Sequence, residues 1–282
     1  MTTTVTRHRH HVKFSNALAH TAVITKRNTL RVVRLPQLLL FSTIQPVMFL
    51  LLFNYVFGGA ISIGGPQAGV AGSADYINWL IPGILVQTAV FGATATALGL
   101  TEDLGAGVID RFRSLPMARS AVLAGRTIAD LVRNTFVNGL MLIVGFLMGW
   151  RFEQGVPRML LGVALALLFG YAFSWVMATI GLVAKTPEAA QSAGFLPIFP
   201  LVFASSVFVP TASMPEWLRV FAENQPVSVI ANAVRSLMIP EQALAFLGLD
   251  QSTLIWQSFA WIAVIIAVFA PLAVRQYRRS VG

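Results

Sequence analysis

Few groups in this chain of 282 residues could carry acid–base, nucleophilic or metal chemistry. There is no cysteine, which excludes disulfides, thiolate catalysis and cysteine-based metal sites. All four histidines, His8, His10, His11 and His20, fall in the N-terminal tail, read as a basic tail rather than a metal site. The body therefore offers no histidine for a triad or a metal cluster. The lysines are Lys13, Lys26 and Lys185, and none sits in a G-x-x-x-x-G-K-[ST] loop, so the chain carries no Walker-type nucleotide site. The carboxylates Asp75, Glu153, Glu216, Glu223, Glu241 and Asp250 form no paired motif for general acid–base work. A membrane-embedded transferase or protease is set aside on that ground.

Acids and bases alternate closely in one stretch, residues 101–133, TEDLGAGVIDRFRSLPMARSAVLAGRTIADLVR. Glu102, Asp103 and Asp110 flank Arg111 and Arg113, with apolar Val108, Ile109, Phe112 and Leu115 among them. Charged edges give register and apolar side chains give grip, so this pattern suits docking to another protein. Ordinary solvated charge beside two spans is the simpler alternative. A short helix over residues 104–112 would end before Pro116, because proline disfavours helix in the residue preceding it.

These residues need a scaffold, and composition defines it. The chain is 56% hydrophobic and only 11% charged, with a mean hydropathy of +0.73. Soluble domains carry roughly a quarter charged residues. A soluble domain, a disordered tail and a nucleic-acid-binding module are excluded, and an all-α polytopic membrane protein remains. Runs free of acids and bases predict six transmembrane helices, over residues 38–57, 77–100, 134–150, 159–184, 189–209 and 251–274. Residues 210–250 are too broken by Pro215, Pro226 and Pro240 to cross. They read as an outer re-entrant hairpin between spans five and six, with Trp217 as an interfacial anchor. A plain surface loop is the alternative there.

With six spans, sixteen of the twenty basic residues lie on the side of the termini. The positive-inside rule makes that side the cytoplasm. Residues 1–34 then form a cytoplasmic tail and an amphipathic interface helix, 35–274 the transmembrane domain, and 275–282 a cytoplasmic tail. Among polar residues inside the spans, Gln45, Asn54 and Gln87 are candidates for a substrate path, with hydrogen bonding between helices as the alternative role. Phe195, Phe199 and Phe203 recur every four residues and share a face, for packing or for cargo contact. No acid or base lies in the middle of the six spans, which argues against a proton relay or ion filter.

The stretch GVIDRFRSLPMARSAVLAGR resembles the cytoplasmic coupling loop of type-two ABC exporter permeases, in particular the daunorubicin-resistance-permease-like branch. INWLIPGILVQ resembles that family's entrance to the second span, and MPEWLRVFAENQPVSVIANAVRSL its outer segment, with Pro215, Trp217, Asn224 and Pro226 in order. The family's frequent Asn-Pro is here Asn224-Gln225-Pro226. The resemblance implies a six-span permease driven by two copies of a separate ABC ATPase subunit. It pairs with a second permease copy, as a homodimer or a related heterodimer, amid membrane lipids in the plasma (bacterial inner) membrane. Glu102, Asp103, Gly107, Asp110, Arg111, Arg113 and Pro116 would form the cytoplasmic coupling helix and its exit. No cofactor belongs to this chain, and ATP and Mg would be held by the partner. The implied cargo is a hydrophobic or amphiphilic drug, natural product or lipid, with a polysaccharide or lipid-linked glycan as the alternative.

Overall fold

The computed structural model describes residues 14–34, 36–58, 73–106, 119–184, 186–239 and 250–280. All regular structure among them is helical. Helix α1 (Phe14–Arg34) leads to α2 (Pro36–Leu52), which runs on into a π-helical turn, Phe53–Phe57. Then come α3 (Ser73–Gly92), α4 (Thr94–Gly105), α5 (Arg119–Leu147), α6 (Val156–Val183) and α7 (Pro187–Phe203). Two short helices, α8 (Glu216–Asn224) and α9 (Pro226–Met238), precede α10 (Gln251–Ser280).

Among the described residues, four helical stretches are long and apolar enough to cross a membrane: Tyr76–Gly105, Val122–Leu147, Val156–Val183 and Gln251–Arg279. The expected first span yields a shorter apolar helix, Ser42–Phe57. The expected fifth ends its helix at Phe203, six residues early, and turns follow. Large apolar side chains stand exposed along these helices, among them Met48, Ile143, Leu160, Leu196, Trp256 and Val264. Water would penalise such a surface, whereas lipid tails match it.

Helix α6 is the hub of the bundle and touches α3, α4, α5, α7, α9 and α10. Helix α1 lies along α5. Their backbones approach closely because residue 125 is glycine: a Cβ there would stand 2.8 Å from Ile24 and 3.0 Å from the Thr21 carbonyl. Thr25 bridges the same contact by donating to the Gly125 carbonyl at 3.3 Å.

Two boundaries differ from the sequence reading for one reason, that charges here are buried rather than terminal. The helix that carries the expected third span begins at Arg119, not near residue 134. Helix α5 carries Arg126, Asp130 and Arg133 inward, where they pair with one another and with α3–α4. Leu104 lies in the last turn of α4, at the end of the helical stretch Tyr76–Gly105, and residues 107–112 of the short helix expected over 104–112 lie outside the described residues. The expected loop of 101–133 is therefore helical at both ends.

Candidate functional site

Two polar clusters and one aromatic row stand out, each at a place where a helix is interrupted. The first lies at the α3–α4 joint. Around Ala93 the helix tightens, and the Ala93 amide meets both the Ala89 and Val90 carbonyls. Carbonyls left without a helical partner must be satisfied inside an apolar protein. Helix α5 supplies donors along this joint: Asn134, in addition to the Ala93 amide, to the Ala89 carbonyl at 3.3 Å, Arg133 to the Gly92 carbonyl, and Arg126 to the Ala95 carbonyl at 2.9 Å.

Asp130 balances those cations. Its carboxylate accepts from the Thr96 hydroxyl at 2.5 Å and lies 3.6 Å from Arg126 and 3.9 Å from Arg133. Asp103, in the last turn of α4, extends the ladder to Arg126 at 3.9 Å and to Arg27 of α1 at 3.7 Å. Helices α1, α4 and α5 are thereby tied together where α4 leads into residues 107–118. Of the residues read as the coupling surface, Glu102 and Asp103 are described and half-buried, and the Asp103 carboxylate faces these internal arginines. Gly107, Asp110, Arg111, Arg113 and Pro116 lie outside the described residues.

The second cluster surrounds Arg235 on α9. Sequence reading placed this residue in an outer segment among loop charges, but it is wholly buried, as is nearly all of α9. Every guanidinium N–H finds an acceptor. Nε donates to the Trp79 carbonyl at 3.0 Å. One terminal nitrogen donates to Ser206 Oγ at 3.1 Å and Asn232 Oδ1 at 2.8 Å. The other donates to the carbonyls of Ser206 at 2.7 Å and Val207 at 2.9 Å. Among the described residues it has no acidic partner.

The acceptors explain the arrangement. Beyond Phe203 the chain turns without regular helix, and its buried polar groups need partners. Ser228 Oγ accepts from the Ser206 amide at 3.0 Å, and the Tyr76 hydroxyl donates to the Phe208 carbonyl at 2.9 Å. Gln225 closes both neighbouring helices. Its Nε2 donates to the Leu201 carbonyl at 2.8 Å, and its Oε1 accepts from the Val227 amide at 3.1 Å. Gln225 is thus the N-cap of α9, with Pro226 in the first turn, where a missing N–H costs nothing. Pro215, Trp217 and Asn224 are exposed on and before α8.

The aromatic row runs beside this turn. Phe199 and Phe203 stack at 5.5 Å with planes 7° apart, and Phe195 and Phe91 continue the row at one end. At the other end Phe203 lies 5.9 Å from Phe49 and 5.3 Å from Phe208, and Phe208 stacks on Phe53 at 4.1 Å. Phe199 is 48% and Phe203 41% exposed, so their faces remain open. The polar path candidates do not share one environment: Asn54 and Gln87 are buried, while Gln45 is exposed. Neither Arg235 nor Asp130 figured among the sequence candidates. The available signal was a basic residue inside an apolar helix flanked by Ser and Asn.

The family model for the ABC-2 type transporter matches residues 19–239. The daunorubicin resistance ABC transporter permease protein DrrB1 of Streptomyces coeruleorubidus is 32% identical over 245 residues, 87% of this chain and 81% of that protein. The probable doxorubicin resistance ABC transporter permease protein DrrC of Mycobacterium tuberculosis (strain ATCC 25618 / H37Rv) is 26% identical over 238 residues, 84% of this chain and 80% of that protein. With long apolar helices around a charged joint and a match spanning most of its length, the chain belongs to the ABC-2 type transporter family, in the daunorubicin-resistance-permease-like group, and is a multi-pass membrane permease subunit.

Proposed function

We propose that this chain forms part of the transmembrane path of an exporter that moves a hydrophobic or amphiphilic drug, natural product or lipid out of the cell. Two copies of a separate ATPase subunit bind ATP with Mg and dock on the segment around residues 102–116. A second permease copy, identical or related, completes the path. Helices α2 and α7 cross the membrane along with the four long helical stretches, giving six spans. Residues 210–250 re-enter from the outer side, and both termini lie in the cytoplasm of a bacterial inner membrane.

The observation that carries the reading is the aromatic row with its open faces at Phe199 and Phe203. Stacked, half-exposed rings offer dispersion and quadrupole contacts to flat apolar or cationic molecules without demanding a fixed hydrogen-bond pattern. Two relatives are named for resistance to daunorubicin and doxorubicin, molecules of that shape. The experiment is uptake of doxorubicin into inverted vesicles containing this chain together with the ATPase subunit. Uptake should require ATP and both subunits, and equal uptake without ATP would overturn the reading.

A further inference from the structure

We infer that Arg235 and Tyr76 are positioning residues of the transport path, clamping the turn after α7 so that Phe208 and Phe203 face Phe49 and Phe53. The inference rests on the aromatic path proposed above and goes beyond it, since neither residue belongs to the row.

The turn after Phe203 carries buried carbonyls at Ser206, Val207 and Phe208. In hydrocarbon surroundings such groups are strongly unfavourable when unpaired. Arg235 takes two of them and Tyr76 takes the third. A buried guanidinium without a carboxylate is itself costly. Its five hydrogen bonds and the Trp79 ring, whose centroid lies 3.6 Å from Cζ, offset that cost only while the turn keeps this shape. The charge thus penalises any other shape of the turn, which a neutral donor would not do. Phe208 leaves the clamped backbone directly, and its ring stacks on Phe53 at 4.1 Å and 14°. The clamp therefore reaches the row through one residue.

The lack of cysteine allows a test that needs no cargo. Phe53→Cys and Phe208→Cys are introduced together and joined by a short bifunctional thiol reagent in membranes containing the full transporter. Adding Tyr76→Phe, which removes one hydroxyl and leaves the core filled, should lower the cross-link yield about threefold. In vesicles, Tyr76→Phe and Ser206→Ala should raise the doxorubicin KM about threefold or more, with the maximal rate within about twofold. A folding defect lowers the maximal rate and leaves KM alone. Arg235→Lys keeps the charge but not the fork, and should behave as Tyr76→Phe or worse. A cross-link yield and KM both unchanged in Tyr76→Phe and Ser206→Ala would overturn the inference. A wild-type chain that moves no doxorubicin, with the cross-link still falling in Tyr76→Phe, would remove the cargo reading and leave the clamp standing.

Discussion

Arg235 lies flat on Trp79, with its guanidinium carbon 3.6 Å from the ring centroid, while its Nε bonds the Trp79 carbonyl at 3.0 Å. Two contacts to one residue lock α9 onto α3. One helical turn along α3, Gly83 leaves room for the same guanidinium. A Cβ there would stand 2.5 Å from the Val207 carbonyl and 2.8 Å from an Arg235 nitrogen. The carbonyl is backbone and cannot rotate aside. Gly83→Ala should therefore destabilise the protein by about 1–3 kcal/mol. Gly139→Ala meets nothing within 4 Å and should stabilise by about 0.5–1 kcal/mol through helix propensity alone. Thermal unfolding in detergent compares the two, and a shift of the same sign in both would contradict the packing argument.

Asp130 pairs with both Arg126 and Arg133 at the α3–α4 joint, and only 7% of its side chain is exposed. Removing it takes the carboxylate from Arg133, leaves Arg126 with Asp103 alone, and deprives the Thr96 hydroxyl of its acceptor. Asp130→Ala should cost about 3–5 kcal/mol. The Arg219–Glu223 pair, at 4.0 Å with side chains 44% and 50% exposed, is the control. Arg219→Ala should change stability by less than about 1 kcal/mol. Both are read from denaturation midpoints of the purified protein.

Along the aromatic row, burial separates stability from cargo contact. Phe208 is 3% exposed and packs on three rings, so Phe208→Ala opens a cavity and should cost about 3–5 kcal/mol. Phe199 is 48% exposed and loses less on truncation. Phe199→Ala should leave the melting temperature within a few degrees, at a cost of about 1 kcal/mol, yet raise the KM for doxorubicin uptake. Unchanged KM at equal expression would place the cargo elsewhere.

Within residues 101–133, Asp103 and Asp110 are assigned different roles. Asp103 faces Arg27 and Arg126 inside the chain. Asp110 and Arg111 are the charges proposed to meet the ATPase subunit. Asp110→Ala or Arg111→Ala should lower cargo moved per ATP by about tenfold while leaving hydrolysis and unfolding temperature intact, since each removes a contact of roughly 1–2 kcal/mol with the partner. Asp103→Ala should instead lower the unfolding temperature. Export unchanged at equal expression in both Asp110→Ala and Arg111→Ala would sink the coupling role.

The membrane class and the helical body were legible because apolar runs between acids and bases report the cost of leaving charge in hydrocarbon. That logic fails wherever charge is neutralised within the protein. Arg126 and Arg133 pair with Asp130 inside the structure, and residues 119–133 were consequently read as loop. The burial of Arg235 within the 210–250 segment was not legible because its acceptors, the carbonyls of Ser206 and Val207, lie 29 and 28 residues away in sequence. Backbone acceptors leave no compositional trace. The spacing of Phe195, Phe199 and Phe203 did predict a shared face, since periodicity is local. Their partners Phe49, Phe53 and Phe208 required the tertiary fold.

Asp250 links acidity to the start of α10. Its carboxylate accepts from the Ser252 amide at 3.1 Å and from the Ser252 hydroxyl, an N-cap arrangement. The Ser252 hydroxyl, with further help from backbone amides, holds the carboxyl below its ordinary value of 3.8. A folded pKa below the unfolded one means that the unfolded chain binds the proton first. The stabilisation is therefore complete above about pH 5, begins to fall near the unfolded pKa of about 3.9, and is lost as pH drops through the folded value. Asp250→Asn keeps an oxygen acceptor but cannot titrate. The unfolding temperature of the wild type should exceed that of Asp250→Asn by a constant margin from pH 8 to about pH 5, and the margin should shrink progressively below about pH 4. Because every other carboxylate is common to both proteins, the difference isolates this one. A margin that stays constant down to about pH 3 would show that the Asp250 charge contributes nothing to the helix start.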